Sequence, residues 1–242
     1  MTPLPTRPAN FRDLALHVPV DLRLRPRTLY RSDHLGALDE NDSRQIHALG
    51  IARVIDFRGV TERESAACRV PGVAVHSLAI EPTIVQKLHT LLDAGAELSA
   101  DDVVELMRDT YRGFVRTNSD RFREFFGHLL EKNEPTVFHC TAGKDRTGFA
   151  AALVLGALDV PHEHVLADYL ATNDHLNPDG PQGWTLPPQV AHVMYRVQPE
   201  FLQAAFDAVD EDYGGLEGYL RDGLGLREPE RARLRELYLV PA

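Results

Sequence analysis

The stretch between residues 136 and 158 constrains the fold of this chain more than any other part of it. It begins with a short β-branched and aromatic run, TVFH, which is typical of a buried strand. It ends with small and apolar residues, TGFAAALVLGAL at 147 to 158, which predict a helix. Only a short loop joins the two, within the segment HCTAGKDRTG at 139 to 148. A strand that leads through a short loop into a helix is a unit of α/β layers, so we expect a sheet covered by helices.

The rest of the chain continues this alternation. Residues 10 to 35 alternate polar and apolar side chains around Pro19 and Pro26, which predicts short strands and turns. Further strands are predicted at 51 to 57 (IARVIDF) and at 73 to 80 (VAVHSLAI). Helices are predicted at 39 to 49 with Asp39 as N-cap and Gly50 as stop, as two short amphipathic elements within 81 to 110, at 121 to 132, at 147 to 158, at 162 to 176, and as two short helices around Gly223 and Gly225. We therefore expect one α/β domain over residues 1 to 242 with a helical C-terminal half.

The composition argues against several classes of protein. The formal net charge is −10, from 26 basic and 36 acidic residues. This argues against nucleic acid as a partner, because neutralising phosphates requires basic surface. A small phosphorylated substrate responds to the local field instead, and stays compatible with this charge. No apolar run reaches the roughly 18 residues that a membrane span needs, so we expect no integral membrane segment.

The N-terminus, the cysteines and the histidines bear on compartment and metal binding. The start MTPLPTRPANFRD lacks the features of a signal peptide, and two cysteines make no disulfide framework. We expect a cytoplasmic protein, with export without a recognisable signal peptide as the open alternative. His162 and His164 flank Glu163, but no second cluster completes a metal site and no HExxH motif is present. We expect these residues to face solvent on a helix, and we predict neither a metal nor another cofactor.

The loop between the strand and the helix is suited to bind an anion. Backbone N–H groups and the positive end of the helix dipole meet at such a junction. Gly143 allows the backbone to turn closely, and Gly148 allows the helix to start tightly. The predicted phosphate-binding residues are Thr141, Ala142, Gly143, Lys144, Asp145 and Arg146.

Cys140 is the predicted nucleophile in this loop. A site of this kind stabilises a thiolate, which attacks readily at neutral pH. Arg146 carries a planar guanidinium that matches two phosphate oxygens and stabilises charge in the transition state. His139 is expected to organise the loop, and Thr147 to hydrogen-bond the sulfur so that it leaves in the second step. These parts predict phosphoryl transfer through a cysteinyl-phosphate.

The same loop resembles a known signature. A cysteine and an arginine that enclose five residues between strand and helix mark the protein tyrosine phosphatases, and the fuller form HCxxGKDRTG resembles their atypical bacterial and fungal members, which act on phosphotyrosine and inositol lipids. The resemblance covers nearly the whole chain, through NFRDL, LYRSDHL, LGIARVIDFRGVTERE, VLADYLATND and YGGLEGYLRDGLGL. One departure is ALHVPVDL after NFRDL, where many relatives have glycines. The resemblance implies a tyrosine phosphatase-like fold with a central, mostly parallel sheet flanked by helices.

The resemblance also implies a phosphomonoesterase. Phosphotyrosine, phosphoserine or phosphothreonine, and phosphoinositides all stay open as substrates, so the expected partner is a phosphorylated protein or a phosphoinositide. Two alternatives from other classes remain. One is a phosphate-binding pseudophosphatase without turnover, and the other is a rhodanese-like sulfurtransferase, which also carries a cysteine in a loop before a helix.

Two aspartates compete as the general acid that protonates the leaving oxygen. Asp145 lies in the loop beside Arg146, and it is favoured because its position requires no assumption about strand order. Asp56 ends a predicted strand, where the sites of α/β proteins collect, with Arg58 two residues on. It could reach the same oxygen only if its strand neighbours the strand of Cys140.

Several other residues have two open interpretations. Arg12, Arg31 and Arg58 are either site residues or ordinary surface charges and structural ion pairs. Cys68 is either a small buried hydrophobe or a redox partner of the loop cysteine. The apolar stripe within 81 to 110 is either core or a mobile lid over the site.

Overall fold

The computed structural model describes residues 8 to 68, 70 to 81, 83 to 176 and 186 to 240. The strands of these residues form one five-stranded sheet, in the spatial order β1-β2-β5-β3-β4. They are β1 (Arg12–Asp13), β2 (Leu29–Ser32), β3 (Arg53–Asp56), β4 (Ala74–Ser77) and β5 (Thr136–His139). The β1–β2 pair is antiparallel and the other pairs are parallel, which confirms the expected mostly parallel sheet. The strands predicted at 51 to 57 and 73 to 80 are shorter than expected.

β5 lies at the centre of the sheet, between β2 and β3. Ser32 and Asp56 are both register partners of His139, so the last residues of three parallel strands meet at one edge. All residues of these three strands are buried, whereas β4 is largely exposed at the border of the sheet. The loop after His139 therefore leaves the sheet at its carboxyl edge, which is where α/β folds bind ligands.

Helices cover this sheet. In chain order they are α1 (Glu40–Ala48), α2 (Val60–Ser65), α3 (Ile84–Asp93), α4 (Ala100–Arg116), α5 (Ser119–Glu131), α6 (Asp145–Ala157), α7 (His162–Leu170), α8 (Thr172–His175), α9 (Pro188–Met194), α10 (Pro199–Tyr213), α11 (Leu216–Gly218) and α12 (Glu228–Tyr238). A π-helical turn at Tyr219–Gly223 continues α11, and Gly225 lies between it and α12. The predicted helical C-terminal half is present in the described residues.

Several helices differ from their predicted extents. α6 begins at Asp145 rather than at 147, because the loop is shorter than its sequence motif. α4 runs to Arg116, because its buried positions continue past 110 to Phe114 and Val115. The helix predicted at 162 to 176 divides at Ala171 into α7 and α8. The sequence patterns predict no element at α2, α9 or α10.

The segment after β1 contains two 3₁₀ turns, at Leu14–His17 and Val20–Leu22. The Asp13 carboxylate accepts hydrogen bonds from the N–H groups of Ala15 (3.0 Å) and Arg27 (2.6 Å), which fixes the first turn. Turns therefore form here without glycine, and the expectation of short strands and turns between 10 and 35 is confirmed.

α6 is the central helix of the core. It buries every residue from Arg146 to Leu155, which its small side chains make feasible at close helix–sheet distance. A Cβ at Gly148 would lie 3.0 Å from the Tyr169 ring, so the glycine lets α7 approach. The Phe149 ring packs edge-on against that of Phe122, with centroids 5.0 Å apart.

The segment 81 to 110 divides into two different environments, and its Pro82 lies outside the described residues. Val103, Met107 and Tyr111 of α4 are completely buried, so this helix is core. α3 buries Ile84 and Leu88, but Leu91 and Leu92 are 37% and 41% exposed. Of the two helices, only α3 has the partly exposed position that a lid over the site requires. Over the described residues, no helix is long and apolar enough to cross a membrane.

Candidate active site

The loop between β5 and α6 turns sharply at Gly143. Its backbone has a φ of +65°, and a Cβ there would lie 2.4 Å from the carbonyl oxygen of Ser32. Both the left-handed conformation and the close approach exclude a larger residue. The carboxyl end of β2 therefore presses directly against the loop.

Three successive carbonyl groups of this loop accept hydrogen bonds from residues outside the loop. The acceptors are the oxygens of Thr141, Ala142 and Gly143, and the donors are His34, Asn10 and Arg31. The C=O and N–H of a trans peptide point in opposite directions, so the N–H groups of residues 142 to 144 face the other way. None of these N–H groups donates to another residue of the described part of the chain. They form a concave set of free donors that suits an anion.

Cys140 lines a cavity of about 520 Å³ at this edge of the sheet, and is itself only 2% exposed. The other loop residues in its wall are Thr141, Ala142, Lys144, Asp145 and Arg146. α2 adds Thr61, Glu62 and Ser65, α3 with its N-cap adds Thr83, Ile84, Val85, Gln86 and His89, and the end of α9 adds Met194 and Tyr195. A larger groove of about 770 Å³ around Pro19 and Val240 contains no cysteine, histidine or hydroxyl side chain. The smaller cavity is therefore the candidate active site.

Arg146 is held at the cavity by a carboxylate. Its Nη1 and Nη2 donate to Glu62 Oε2 and Oε1 at 2.7 and 2.8 Å, and Nη1 also donates to the carbonyl oxygen of Phe57 at 3.3 Å. The hydroxyl of Thr141 and the N–H of Gly59 donate to the same carboxylate. Burial alone would raise the pKa of Glu62, but the hydrogen bonds and charge of Arg146 lower it to about 2. Both partners are therefore ionised, and the two parallel hydrogen bonds to Glu62 fix the orientation of the guanidinium.

Asp145 is placed in the same wall by two tyrosines. The Tyr111 hydroxyl donates to Asp145 Oδ1 at 3.0 Å and lies 2.7 Å from the Tyr169 hydroxyl. Burial, followed by the charge of Asp145, raises the pKa of both tyrosines, which keeps them protonated. The carboxyl group is thus oriented from the core side while its residue faces the cavity.

Comparison with known proteins identifies the family of this chain. The sequence model of the tyrosine phosphatase family matches residues 6 to 240. This chain belongs to the tyrosine phosphatase family. The phosphatase is 33% identical to the triple specificity protein phosphatase PtpB of Mycobacterium tuberculosis, over 95% of this chain and 96% of that protein. It is 27% identical to a tyrosine-protein phosphatase of Nostoc commune, over 85% of this chain and 72% of that protein. The crystal structure of Pseudomonas aeruginosa TpbA gives a TM-score of 0.39 at 18% identity, over 74% of this chain and 86% of that one.

Membership of this family makes the chain a hydrolase of phosphorylated substrates. The rhodanese-like sulfurtransferases, one of the alternatives left open by the sequence, are a different family. Sequence reasoning missed three residues of the site. Glu62 received no predicted role, although Gly59 and Glu62 show the spacing of a helix N-terminus in which the acid caps the backbone. That spacing was the available signal. Tyr111 and Tyr169 gave no signal, because a buried tyrosine is indistinguishable from core in one sequence.

Lys144 of the phosphatase does not present a free ammonium group to the cavity. The residue is 4% exposed, and its Nζ donates to the carbonyl oxygen of Met194 and lies 3.5 Å from that of Arg196. Asp145 Oδ2 is also 3.5 Å away. The last turn of α9 has unpaired carbonyl groups, which favour a cation. Lys144 thus joins the loop to α9.

Asp56 is next to the loop but engaged elsewhere. β3 does neighbour β5, as the alternative acid required, yet Asp56 is completely buried and absent from the cavity wall. Arg58 Nη2 and Nε donate to Asp56 Oδ2 and Oδ1 at 2.8 and 3.0 Å. Burial would raise the pKa of Asp56, but the hydrogen bonds from Arg58 outweigh it and lower the pKa. Arg58 and Asp56 therefore form a structural ion pair, in which Asp56 stays ionised.

His139 supports the loop as a neutral imidazole. Burial lowers its pKa to about 4, although Asp56 Oδ1 lies 3.8 Å from Nδ1 and acts in the opposite direction. Nδ1 donates to the carbonyl oxygen of Cys140 at 3.0 Å. This contact orients the peptide that follows Cys140.

Thr147 differs from its expectation, whereas Cys68 agrees with the first of its two interpretations. The buried Thr147 hydroxyl has no hydrogen-bond partner among the described residues, so the predicted bond to the Cys140 sulfur is not formed. Thr147 lies in the first turn of α6. Cys68 is a half-buried free thiol whose pKa is raised to about 12 by burial and by the charge of Asp56. A thiol held neutral in this way behaves as a small hydrophobe.

The remaining candidates lie away from the cavity. Arg12 and Arg31 are buried and both pair with Asp168, so they are neither surface charges nor residues of the cavity wall. His162 and Glu163 are exposed in the first turn of α7. Within the described ranges, no three His, Cys, Asp or Glu side chains are grouped so that they could hold a metal ion.

Proposed function

We propose that this chain is a cysteine-dependent phosphomonoesterase that works through a cysteinyl-phosphate. The observation that carries this proposal is the grouping of three features in one cavity wall: Cys140, the free N–H groups of residues 142 to 144, and the Glu62-paired guanidinium of Arg146. A thiolate, an amide cradle and a bidentate cation are what phosphoryl transfer without a metal needs.

In the first step, the Cys140 thiolate attacks phosphorus. The sulfur–phosphorus bond forms as the bond from phosphorus to the leaving oxygen breaks. Asp145 donates its proton to that oxygen, so the product leaves as a neutral alcohol or phenol. Tyr111 donates to Asp145 Oδ1 at 3.0 Å, so the proton is assigned to Oδ2, which lies 3.5 Å from Lys144 Nζ.

In the second step, water attacks the cysteinyl-phosphate. Asp145, now a carboxylate, accepts a proton from this water as the new oxygen–phosphorus bond forms. The sulfur–phosphorus bond breaks and the thiolate returns, so the cycle releases inorganic phosphate. Arg146 and the amide cradle hold the phosphoryl oxygens in both steps.

The cavity wall favours an aromatic ester as substrate. Ile84, Val85, Met194 and Tyr195 form an apolar side beside the loop. The Lys144 ammonium is bound to the end of α9 rather than presented to a second phosphate group. Phosphotyrosine in a protein is therefore the first substrate proposed. Phosphoserine, phosphothreonine and phosphoinositides follow, because the relative PtpB is named a triple specificity phosphatase.

Phosphate release from a substrate panel tests this proposal. The panel contains phosphotyrosine, phosphoserine and phosphothreonine peptides and singly and multiply phosphorylated inositol lipids, with Cys140→Ser as the blank. We expect the phosphotyrosine peptide to be hydrolysed fastest, without effect of a chelator. Turnover by Cys140→Ser near the wild-type rate, or its loss in chelator, would contradict the mechanism. Oxyanion binding without hydrolysis of any ester would identify a pseudophosphatase.

A further inference from the structure

A cluster of charged and polar side chains lies behind the phosphate-binding loop. It contains Arg12 and Arg31 of β1 and β2, Asp168 of α7, Thr172 of α8, and Asn10, and we call it the rear cluster. All five residues are at most 1% exposed, and none lines the cavity. The mechanism proposed above gives none of them a role.

Both guanidiniums of the rear cluster share one carboxylate. Arg12 Nε donates to Asp168 Oδ1 at 3.3 Å, and Arg31 Nη1 donates to Oδ2 at 2.5 Å. The Thr172 hydroxyl accepts from Nη2 of both arginines, at 3.1 and 3.2 Å. Burial and the charge of Arg31 lower the pKa of Arg12 to about 10, so it stays protonated at neutral pH. No second carboxylate of the described residues bonds to either guanidinium, and the cluster carries a net charge of about +1.

Arg31 and Asn10 of this cluster donate hydrogen bonds to the loop. Arg31 Nη2 donates to the carbonyl oxygen of Gly143 at 2.8 Å. Asn10 Nδ2 donates to the carbonyl oxygens of Ala142 and Gly143 at 3.0 and 3.1 Å. Arg12 Nη1 in turn donates to Asn10 Oδ1, which decides which end of the amide faces the loop. Each carbonyl held in this way turns the next N–H toward the cavity.

We propose that the rear cluster positions the oxyanion cradle, by holding the carbonyls of Ala142 and Gly143 so that the N–H groups of Gly143 and Lys144 face the bound phosphoryl oxygens. The surplus positive charge supports the same reading. A buried cation without its own counterion costs stability, and a purely structural site would gain from a second carboxylate or from apolar side chains. Placed against the loop, that charge stabilises a bound anion instead. Asn10 and Arg31 are thus positioning residues.

Direct binding of tungstate, measured by calorimetry, tests this inference together with thermal unfolding. Asn10→Asp keeps the acceptor for Arg12 but removes both donors to the loop. Arg31→Lys removes the donor to Gly143. The matched control is Arg53→Lys, because Arg53 is 2% exposed and ion-paired to Glu131 and Glu134 at the start of β3. We expect tungstate affinity to fall about 10- to 100-fold in the two loop-side variants and less than about twofold in the control, at similar losses of melting temperature.

Tungstate affinity that is unchanged in folded Asn10→Asp, or reduced no more than in Arg53→Lys, would overturn the inference. If Arg31→Lys does not fold, Asn10→Asp decides the outcome alone. This inference rests on the proposed anion site but not on turnover. Wild-type protein that binds tungstate and hydrolyses nothing would contradict the proposed function while leaving the test readable. Wild-type protein that binds no tungstate would overturn both.

Discussion

Two arginine–carboxylate groups lie on opposite sides of the loop between β5 and α6. On the cavity side, Arg146 donates through both Nη atoms to Glu62, and the two side chains are 10% and 21% exposed. Behind the loop, Arg12 and Arg31 share Asp168, and these side chains are at most 1% exposed. The chemistry of the two groups is the same, but their contact with solvent differs.

This difference separates two tasks. A carboxylate with access to solvent can give up one of its hydrogen bonds from the arginine to an incoming phosphate. Water then solvates the carboxylate oxygen that has lost its partner. A buried carboxylate cannot, since removing it leaves bare charges in the core. The cavity-side pair is therefore suited to handle substrate, and the rear cluster to hold the loop still. Substitutions on the cavity side should cost activity, and those in the rear cluster should also cost stability.

The largest effect is expected from Arg146→Lys. The lysine keeps the charge but loses the bidentate geometry, so kcat/KM for an aryl phosphate should fall by about a thousandfold or more. The melting temperature should change little. Arg221→Lys is the control, since Arg221 forms an exposed pair with Asp222. An Arg146→Lys enzyme with near wild-type kinetics would show that this arginine does not grip the phosphoryl group.

Asp168→Asn should have the largest effect on stability. It leaves two buried guanidiniums without a counterion, which typically costs about 3–5 kcal/mol. Urea unfolding followed by circular dichroism measures this change. A loss below about 1 kcal/mol would remove the distinction between the rear cluster and the cavity-side pair.

Asp145→Asn should slow turnover by about 100-fold for esters of poorly acidic alcohols, and much less for esters of very acidic phenols. The reason is that only a poor leaving group needs the proton. Asp56→Asn serves as the comparison, because Asp56 is buried against Arg58 and should lose stability without this selectivity. The reverse pattern would make Asp56 the acid.

Glu62→Gln should lower kcat/KM by only about tenfold, because an amide still accepts one hydrogen bond from Arg146. Its cost in stability at pH 7 should be at most about 1 kcal/mol. The pKa of Glu62 in the folded protein is about 2, below its ordinary value of 4.5. The stabilisation is therefore complete above pH 4.5 and is lost as the pH falls toward 2. The stability gap between wild type and variant should narrow over that range, and a constant gap would show that the ion pair contributes nothing.

The smallest effect is expected from Val85→Ala on α3. If α3 covers the site, trimming this cavity-lining side chain should raise KM for a phosphotyrosine peptide about threefold and hardly change KM for a small aryl phosphate. Leu92→Ala is the control, because Leu92 is exposed on the same helix and absent from the cavity wall. Equal effects of both variants on both substrates would assign α3 to the core instead.

Much of the site could be predicted because it is local. Residues 139 to 148 combine a strand end, a tight turn and a helix start, so their relative positions follow from short-range backbone geometry. Gly143 and the placement of Asp145 beside Arg146 are of this kind. The partners of these residues are not local. Glu62 lies 84 residues before Arg146, and Asp168 lies 137 after Arg31, so no spacing rule connects them.

Residue patterns alone predict the layered α/β class and the loop that carries Cys140 and Arg146, and the family resemblance adds the mostly parallel sheet. The class and the loop depend on periodicity and on contacts within about ten residues. The tertiary structure alone decided which arginine meets which carboxylate, that Lys144 binds the end of α9, and that Asp56 is occupied by Arg58. The physical reason is burial. The sequence shows that an arginine carries a charge. Whether that charge faces solvent, substrate or a buried counterion depends on how distant strands and helices pack together.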